Sequence, residues 1–410
     1  MRLPIARLTE SHQHRDRNAP GAVVAAPFRQ VLLKIHSRCN LACSYCYVYN
    51  HADQSWRGRP RAMPAETVDT VASRIAEHAR THRLPSVRVI MHGGEPLLAG
   101  APLIEHAATA IRTALAPHTT VDLRLTTNGI MLNEDFLALF RRHGIRVGVS
   151  VDGGEAAHDR ERRYANGQGS YRQVSRGLLM LADDRHRESY AGVLCTVDLR
   201  NDPVEVYESL LHFRPPEIDL LLPHGNWNSP PPSGVDDAET AYAEWLIAVF
   251  DRWFDAPRRE TRIRFFESII RLLLGGRSRT EAIGLSPIDL ITVETDGTIE
   301  QSDTLKTAAD GMAATGLDVW RHPFDAALSH PGLLARQSGL DGLADECRRC
   351  PIVEVCGGGL YAHRFRPENG FANPSVYCPD LYRLIGHVRQ RLRAGLHELG
   401  RRQAPPDGPA

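Results

Sequence analysis

Lysine is almost missing from this 410-residue chain: Lys34 and Lys306 are the only two, and the other 47 of its 49 basic residues are arginine. Because alanine and proline are also abundant, we attribute this imbalance to a coding bias. The 49 acidic residues balance the basic ones, so the formal net charge is zero and no general nucleic-acid or acidic-membrane binder is expected.

Long apolar runs are missing as well. No segment has the roughly 18 consecutive apolar residues that indicate a membrane-spanning helix. The first 28 residues mix Arg, His and Pro and lack the apolar stretch of a secretory signal. We therefore expect a cytoplasmic protein with no membrane partner.

Cysteine is present eight times, and seven of these residues fall into two spaced groups. Disulfides are disfavoured in the reducing cytoplasm, so grouped thiols there indicate metal ligands first. Cys195 stands alone, and we expect it to be a small apolar residue of the core.

Strand-like and helix-like segments alternate over the first half of the chain. The pattern predicts strands at 31–36, 87–91, 121–125, 146–151, 192–197 and 218–222, with helices at 64–81, 101–115, 134–142, 171–183 and 204–213. Six strands interleaved with helices imply a parallel sheet with right-handed crossovers, open or curled into a partial barrel. Functional residues in such sheets gather at the C-terminal ends of the strands.

The second half has a different pattern. A proline-rich loop at 230–234 precedes predicted helices at 240–254 and 264–274, and Asp296-Gly297 indicates a β-hairpin between strands 291–294 and 298–301. A last helix at 381–399 is followed by a tail expected to be disordered. We predict five parts: an N-terminal arm (1–28), a core (29–225), a helical bridge (226–279), a cysteine-rich domain (280–385), and a C-terminal helix with the tail (386–410).

The first cysteine group is Cys39-x3-Cys43-x2-Cys46, on the loop after the first predicted strand. Three thiolates in one short loop can ligate three irons of a [4Fe-4S] cluster and leave the fourth iron open. A zinc site is the alternative, but structural zinc usually takes four protein ligands. This spacing and loop position resemble the radical SAM superfamily, in which the open iron binds S-adenosylmethionine (SAM).

Further motifs that agree with this resemblance follow the later predicted strands. They are His92-Gly93-Gly94-Glu95-Pro96 and residues 126–129 and 150–153. The resemblance implies a partial (β/α)6 TIM-like barrel and reductive cleavage of SAM to a 5′-deoxyadenosyl radical. It also implies that Arg162 holds the SAM carboxylate together with Ser150, with Arg160 and Arg163 as rivals. The implied cofactor-binding residues are Tyr45, Gly93, Gly94, Glu95, Thr127, Ser150, Arg162 and Val197.

The second cysteine group supplies four thiols: Cys347, Cys350, Cys356 and Cys378. It resembles part of the SPASM extension found in radical SAM enzymes that act on peptides and proteins. The full pattern has seven cysteines for two auxiliary clusters, whereas here Ser302 and Leu360 stand at cysteine positions. The resemblance thus implies one auxiliary [4Fe-4S] cluster, and a structural Zn–Cys₄ site stays the alternative.

Asp303 is the predicted catalytic residue. In sulfatase-maturing relatives an aspartate at the matching place is a general base, and a carboxylate here is suited to accept the proton released by an oxidation. Glu300 is a weaker candidate, and a solvated loop aspartate is the alternative for Asp303 itself.

Three segments, at 34–49, 222–227 and 294–300, most resemble the FxsB family of radical SAM/SPASM maturases. That resemblance implies a ribosomal precursor peptide as substrate, an external electron donor such as flavodoxin or ferredoxin, and a cyclophane crosslink between an aromatic ring and a β-carbon. Formylglycine or thioether formation is the alternative, and a zinc-stabilised peptide-binding scaffold is a third. His224, Asn226 and Trp227 are expected either to contact the peptide or to cap the barrel mouth.

Overall fold

The strands form one ten-stranded sheet in the computed structural model, which describes residues 25–232 and 239–403. In chain order they are β1 (Gln30–His36), β2 (Ser86–Gly93), β3 (Thr120–Thr127), β4 (Arg146–Ser150), β5 (Tyr190–Thr196), β6 (Glu217–Leu221), β7 (Arg262–Ile263), β8 (Leu290–Val293), β9 (Thr298–Glu300) and β10 (Ala314–Asp318). The strand order is β10-β9-β8-β1-β2-β3-β4-β5-β6-β7. Pairing is parallel from β8 through β1 to β7 and antiparallel between β8, β9 and β10.

Helices connect and cover these strands. They are α1 (Ala65–Thr81), α2 (Gly100–Leu115), α3 (Glu134–His143), α4 (Glu155–Glu161), α5 (Tyr171–Ala182), α6 (Pro203–Leu211), α7 (Ala241–Phe254), α8 (Arg264–Leu273), α9 (Phe324–Ala327), α10 (Pro331–Gln337), α11 (Asp345–Arg348), α12 (Val353–Cys356) and α13 (Cys378–Gln403). The last helix packs against α7, α8 and α12 and so joins the C-terminal region to the core.

Alternation along the strands explains which face is covered. On β2, Val87, Val89 and Met91 are buried in the main apolar core, whereas Arg88, Ile90 and His92, which alternate with them, are only half-buried. Successive side chains of a strand point to opposite faces of the sheet. The buried set therefore packs under the helices, and the half-buried set faces the other side of the sheet, where the chemistry is expected.

The predicted hairpin continues the barrel sheet. β8 pairs in parallel with β1, from Gln30 opposite Leu290 to Leu33 opposite Val293. This pairing places Glu294, the residue after β8, beside the C-terminal end of β1. The β8–β9 hairpin, which the sequence analysis assigns to the cysteine-rich domain, therefore belongs to the same sheet as the strands of the core. The boundaries between the five parts remain a prediction.

The α/β class with a mostly parallel sheet is confirmed, and each predicted strand and helix of the core has a counterpart. Seven of these elements were not predicted, and each has seven residues or fewer, too short for a clear period: α4, β7, β10, α9, α10, α11 and α12. The N-terminal arm up to residue 24, part of the proline-rich loop (233–238) and the tail from 404 lie outside the described residues.

Within the described ranges, none of the helices combines the length and the apolar character that crossing a membrane requires.

Candidate active site

The first cysteine group lies on the loop that leaves β1. Its backbone is fixed by hydrogen bonds from Ala42 N–H to the Arg163 carbonyl and from Ser44 N–H to the Glu161 carbonyl. All three cysteines are free thiols. Burial raises the pKa of Cys39 to about 12, so its thiolate forms only beside a positive charge such as a metal ion.

The second group is brought together by three short elements. Cys347 lies on α11, Cys356 ends α12 and Cys378 begins α13, with Cys350 between the first two helices. All four are free thiols, and they lie close enough to influence one another electrostatically. Burial raises the pKa of Cys356 to about 12.

Among the described residues, no three cysteine sulfurs lie within 4.8 Å of one another. The metal group that each set of cysteines holds stays a prediction, with structural zinc as the alternative at the second group.

The Gly93-Gly94 pair brings the end of β2 against the cysteine loop. A Cβ atom at Gly93 would overlap the carbonyl oxygen of His36, and one at Gly94 would overlap Tyr49 Oη and the Arg38 backbone. Both glycines are thus required by the packing of this chain on itself. This is a second reason for glycine at these positions, besides the predicted approach of the backbone to SAM.

Glu95 is fully buried and all its bonds are internal. Its Oε1 accepts hydrogen bonds from Leu97 N–H (2.9 Å) and Thr127 Oγ1 (2.7 Å), and its Oε2 accepts one from Asn128 N–H (2.8 Å). The side chain therefore ties the loop after β2 to the end of β3. Glu95 and Thr127, both predicted to bind the cofactor, shape the site through this contact.

We expect Gly93→Ala to destabilise the protein by about 1–3 kcal/mol, because overpacking against a fixed backbone strains both segments. Denaturant unfolding of the two proteins measures the difference. Gly58→Ala is the matched control, since a Cβ atom at Gly58 meets no atom within 4 Å. If Gly93→Ala and Gly58→Ala are equally stable, the predicted steric clash at Gly93 is wrong.

Arg162 is the predicted arginine that lies against the first cysteine group. It is buried, its Nη1 donates to Tyr45 Oη (2.7 Å), and Tyr45 Oη donates to Asp152 Oδ2. Arg160 instead contacts Asp198 and Asn201, and Arg163 bonds the carbonyl of Asp159.

Arg162 Nε is buried without a hydrogen-bond partner among the described residues. A buried guanidinium with a free donor is suited to a carboxylate ligand, so the residues present fit SAM at this place.

A cavity of about 390 Å³ opens beside these residues. Its lining includes Tyr45, Asp152, Thr196, Val197 and His224. Its size lies in the range of small-molecule sites. Ser150 ends β4 half-buried, and Val197 is buried where the chain leaves β5. The ligand roles of these two residues stay predictions.

Asp303 lies buried on the other side of Tyr47. Its Oδ2 accepts hydrogen bonds from Lys34 Nζ (2.6 Å) and Tyr47 Oη (2.5 Å). Both hydrogen bonds that Asp303 accepts from described residues are made by Oδ2, so Oδ1 can accept a hydrogen bond from another donor. Burial opposes ionisation of Asp303, but the Lys34 ammonium outweighs it and holds the pKa well below its ordinary value.

Sequence reasoning missed Lys34, Tyr47 and His92 as neighbours of the predicted base. His92 Nδ1 lies 3.2 Å from Lys34 Nζ, and burial together with the lysine charge lowers the pKa of His92 to about 4. The rarity of lysine is the one sequence signal at this position, and coding bias alone does not connect it to Asp303.

The segment after β6 has mixed roles. His224 lines the cavity and its ring lies 4.8 Å from that of Tyr47, centroid to centroid. Asn226 is buried and donates to the Thr307 carbonyl. Trp227 donates to the Pro374 carbonyl and lies under Arg366. Of the three residues, only His224 faces the candidate site.

Cys195 is buried in β5 in the main apolar core.

Comparisons with known proteins agree with this geometry. The sequence model of the radical SAM superfamily matches residues 33–201. A serine-type anaerobic sulfatase-maturating enzyme of Bacteroides thetaiotaomicron is 23% identical over 94% of this chain and 95% of its own length. A cysteine-type enzyme of Clostridium novyi is 24% identical over 83% of this chain and 90% of its own length.

Among solved structures, native anSMEcpe with bound AdoMet matches with a TM-score of 0.75 and 19% identity, covering 89% of this chain and 98% of that one. The two sequence relatives, from Bacteroides thetaiotaomicron and Clostridium novyi, are sulfatase-maturating enzymes. The comparisons therefore support the broader prediction of a radical SAM peptide modifier and do not support the FxsB family.

Proposed function

We propose that this radical SAM enzyme oxidises the β-carbon of a serine or cysteine in a peptide or protein substrate to an aldehyde, with Asp303 as the general base. The observation that carries the proposal is the Asp303 carboxylate: it is buried, it accepts hydrogen bonds from Lys34 and Tyr47 on Oδ2, and it accepts none on Oδ1 from the described residues. The sulfatase-maturating relatives support a serine or cysteine as the residue that is changed.

Cys39, Cys43 and Cys46 would hold the SAM-binding cluster, and Cys347, Cys350, Cys356 and Cys378 a second one. Together with SAM these groups supply a hydrogen-abstracting radical and an electron acceptor when bound. Arg162 and Tyr45 would orient the carboxylate of SAM at the cavity. Flavodoxin or ferredoxin as the external electron donor stays a prediction.

The proposed oxidation releases one proton, so a single general base is enough for it. Removal of a hydrogen atom from Cβ leaves a carbon radical, and loss of one electron and of the hydroxyl or thiol proton makes the C=O or C=S bond. Asp303 Oδ1 accepts that proton. With cysteine, water then adds to the C=S carbon and the sulfur leaves as hydrogen sulfide, which gives the aldehyde. A buried carboxylate fixed by two donors is in place before the substrate arrives, which meets the geometric requirement of general-base catalysis.

A cyclophane crosslink is the second candidate. It needs the same Cβ–H cleavage and the same loss of an electron and a proton, here from an aromatic ring. One observation favours it: Ser302 and Leu360 stand at two cysteine positions of the full SPASM pattern, and sulfatase-maturing enzymes usually keep both auxiliary clusters.

A peptide assay distinguishes the two. The reconstituted enzyme is incubated with SAM, a reductant and synthetic peptides that carry a serine, a cysteine, or an aromatic residue near an asparagine. We expect 5′-deoxyadenosine and a peptide aldehyde, detected by mass and by reaction with a hydrazide reagent. Loss of two hydrogens without aldehyde reactivity, and with fragmentation blocked between two residues, supports the crosslink instead. Cleavage of SAM that leaves every peptide unchanged overturns the proposal.

A further inference from the structure

A surface turn lies against the loop of the first cysteine group. It is a single 3₁₀ turn, Ser55–Gly58, in which none of the residues is buried. The segment that follows it is tied to the end of β1, because Ser37 N–H donates to the Arg61 carbonyl (2.7 Å) and Ser37 Oγ donates to the Pro60 carbonyl (2.7 Å). Ser37 stands two residues before Cys39, so the turn is held beside the cysteine loop.

Trp56 of this turn contacts two arginines. The guanidinium carbons of Arg38 and Arg57 lie 4.9 Å and 5.0 Å from the centroid of its ring. Arg38, the residue before Cys39, also donates to the Trp56 carbonyl (2.7 Å) and to the Arg57 carbonyl (3.1 Å). Arg57 Nε donates to Gln54 Oε1 (3.0 Å). Both guanidinium groups are thus positioned before a partner arrives, which lowers the entropy cost of binding one.

Positive charge is in excess at this place. Residues 37–63 contain four arginines and a single acidic residue, Asp53, in a chain whose formal net charge is zero. Asp53 is buried, and its carboxylate accepts hydrogen bonds from two backbone N–H groups. Of the four arginines, Arg59 alone has a carboxylate of the described residues within 4.0 Å.

The other three arginines, Arg38, Arg57 and Arg61, form with Trp56 what we call the arginine patch. Arg57 and Arg61 are exposed, whereas Arg38 and Trp56 are half-buried. None of these four residues lines the cavity beside Arg162, so the charge of the patch is available to a partner other than SAM.

Tyr49 connects the patch to the first cysteine group. Its ring meets the Trp56 ring edge-on, with 4.8 Å between the centroids, and its hydroxyl donates to the Ser37 carbonyl (3.0 Å). Burial, together with the negative charges of the Cys39 and Cys46 thiolates, raises the pKa of Tyr49. This phenol therefore lies near both cysteines, and a single aromatic side chain separates Trp56 from the cysteine loop.

We propose that the arginine patch is the docking surface of the external electron donor, and that this donor is an acidic one-electron carrier protein. Reductive cleavage of SAM consumes one electron, which has to come from outside the chain. In the docked complex the carrier is oxidised by one electron and passes it to the cluster held by Cys39, Cys43 and Cys46. No bond breaks and no proton moves in this step. The arginines attract an acidic face of the carrier, and the short path through Trp56 and Tyr49 brings its redox centre close to the cysteine loop.

A calorimetric titration tests the docking directly, without SAM and without a peptide. The reconstituted full-length protein is titrated with an oxidised flavodoxin and, in parallel, with an oxidised ferredoxin, both chosen to be acidic. We expect Arg57→Glu and Arg61→Glu each to raise the Kd roughly fivefold or more, because attraction is replaced by repulsion between like charges. Raising the salt concentration from about 0.05 to 0.5 M should weaken wild-type binding, since charges at the surface are then screened.

Arg258→Glu is the matched control, because it makes the same change of charge at another exposed arginine. Arg258 precedes β7 and so lies at the N-terminal edge of the parallel strands, whereas the cysteine loop follows β1 at their C-terminal edge. We expect this variant to keep the wild-type Kd for both carriers.

The rate of 5′-deoxyadenosine formation separates docking from a structural role of the patch. With limiting reduced flavodoxin or ferredoxin, we expect Arg57→Glu to lower the rate roughly fivefold. With photoreduced 5-deazariboflavin, a small uncharged reductant that needs no docking surface, the rate should stay within about twofold of the wild type. A fall with both kinds of reductant would mean that Arg57 supports the cysteine loop itself, and this result overturns the proposal.

The proposal is also overturned if neither carrier binds the wild type, or if Arg258→Glu weakens binding as much as Arg57→Glu. These measurements do not depend on the proposed function, because cleavage of SAM precedes any reaction of the peptide. If no peptide is oxidised but Arg57→Glu impairs the carriers selectively, the proposed function fails and the docking surface stands. If peptides are oxidised and the carriers act equally on both proteins, the docking surface fails alone.

Discussion

Replacing Asp303 with asparagine will lower formation of the oxidised peptide by at least about a hundredfold, the range that a positioned general base contributes. Asparagine keeps the size of the side chain and still accepts hydrogen bonds from Lys34 and Tyr47, but it cannot take up a proton. The carbon radical would still form, because cleavage of SAM does not need this carboxylate. We therefore expect 5′-deoxyadenosine to accumulate beyond the amount of product.

Two measurements in the same assay check this: 5′-deoxyadenosine by chromatography and peptide product by mass. Asp219→Asn is the control, since Asp219 is another buried aspartate paired with a basic residue, Arg264, away from the cavity. The control should keep the ratio of the two products near that of the wild type. An Asp303→Asn enzyme with normal product yield would show that Asp303 is not the base.

The fold was largely predictable because its signals are local. The apolar periods of β1–β6 and the interleaved helices lie within short windows, and the turn at Asp296-Gly297 fixes the hairpin. The first cysteine group and the Gly93-Gly94 motif are local signals as well, because each of them spans only a few residues. Such features can be recognised without knowing which distant parts of the sequence meet in the folded protein.

The surroundings of Asp303 were not predictable in the same way. Lys34 and Asp303 are 269 positions apart, and they meet only because β8 pairs with β1. The sequence pattern showed a hairpin but not the strand to which it would attach. The same pairing brings Glu294 onto the chain segment beside β1, so the charged surroundings of Asp303 had no local signature.

Replacing Cys39, Cys43 and Cys46 together with alanine will abolish cleavage of SAM and remove about half of the iron, roughly four of eight atoms per chain if each group holds a [4Fe-4S] cluster. Replacing Cys347, Cys350, Cys356 and Cys378 will remove the other half and leave slow cleavage of SAM intact. The difference follows from ligand number. Three thiols leave one iron open for SAM, whereas four leave none.

Iron and sulfide content, with electron paramagnetic resonance before and after SAM is added, measures both effects. Cys195→Ala is the control, because Cys195 is buried in the apolar core away from both groups; it should keep all the iron and the SAM response. Only the signal of the first group should shift on addition of SAM, since only that cluster has an open iron. Zinc at the four-cysteine group would remove the proposed electron acceptor. Loss of SAM cleavage in the four-cysteine variant would mean that the two sites do not act separately.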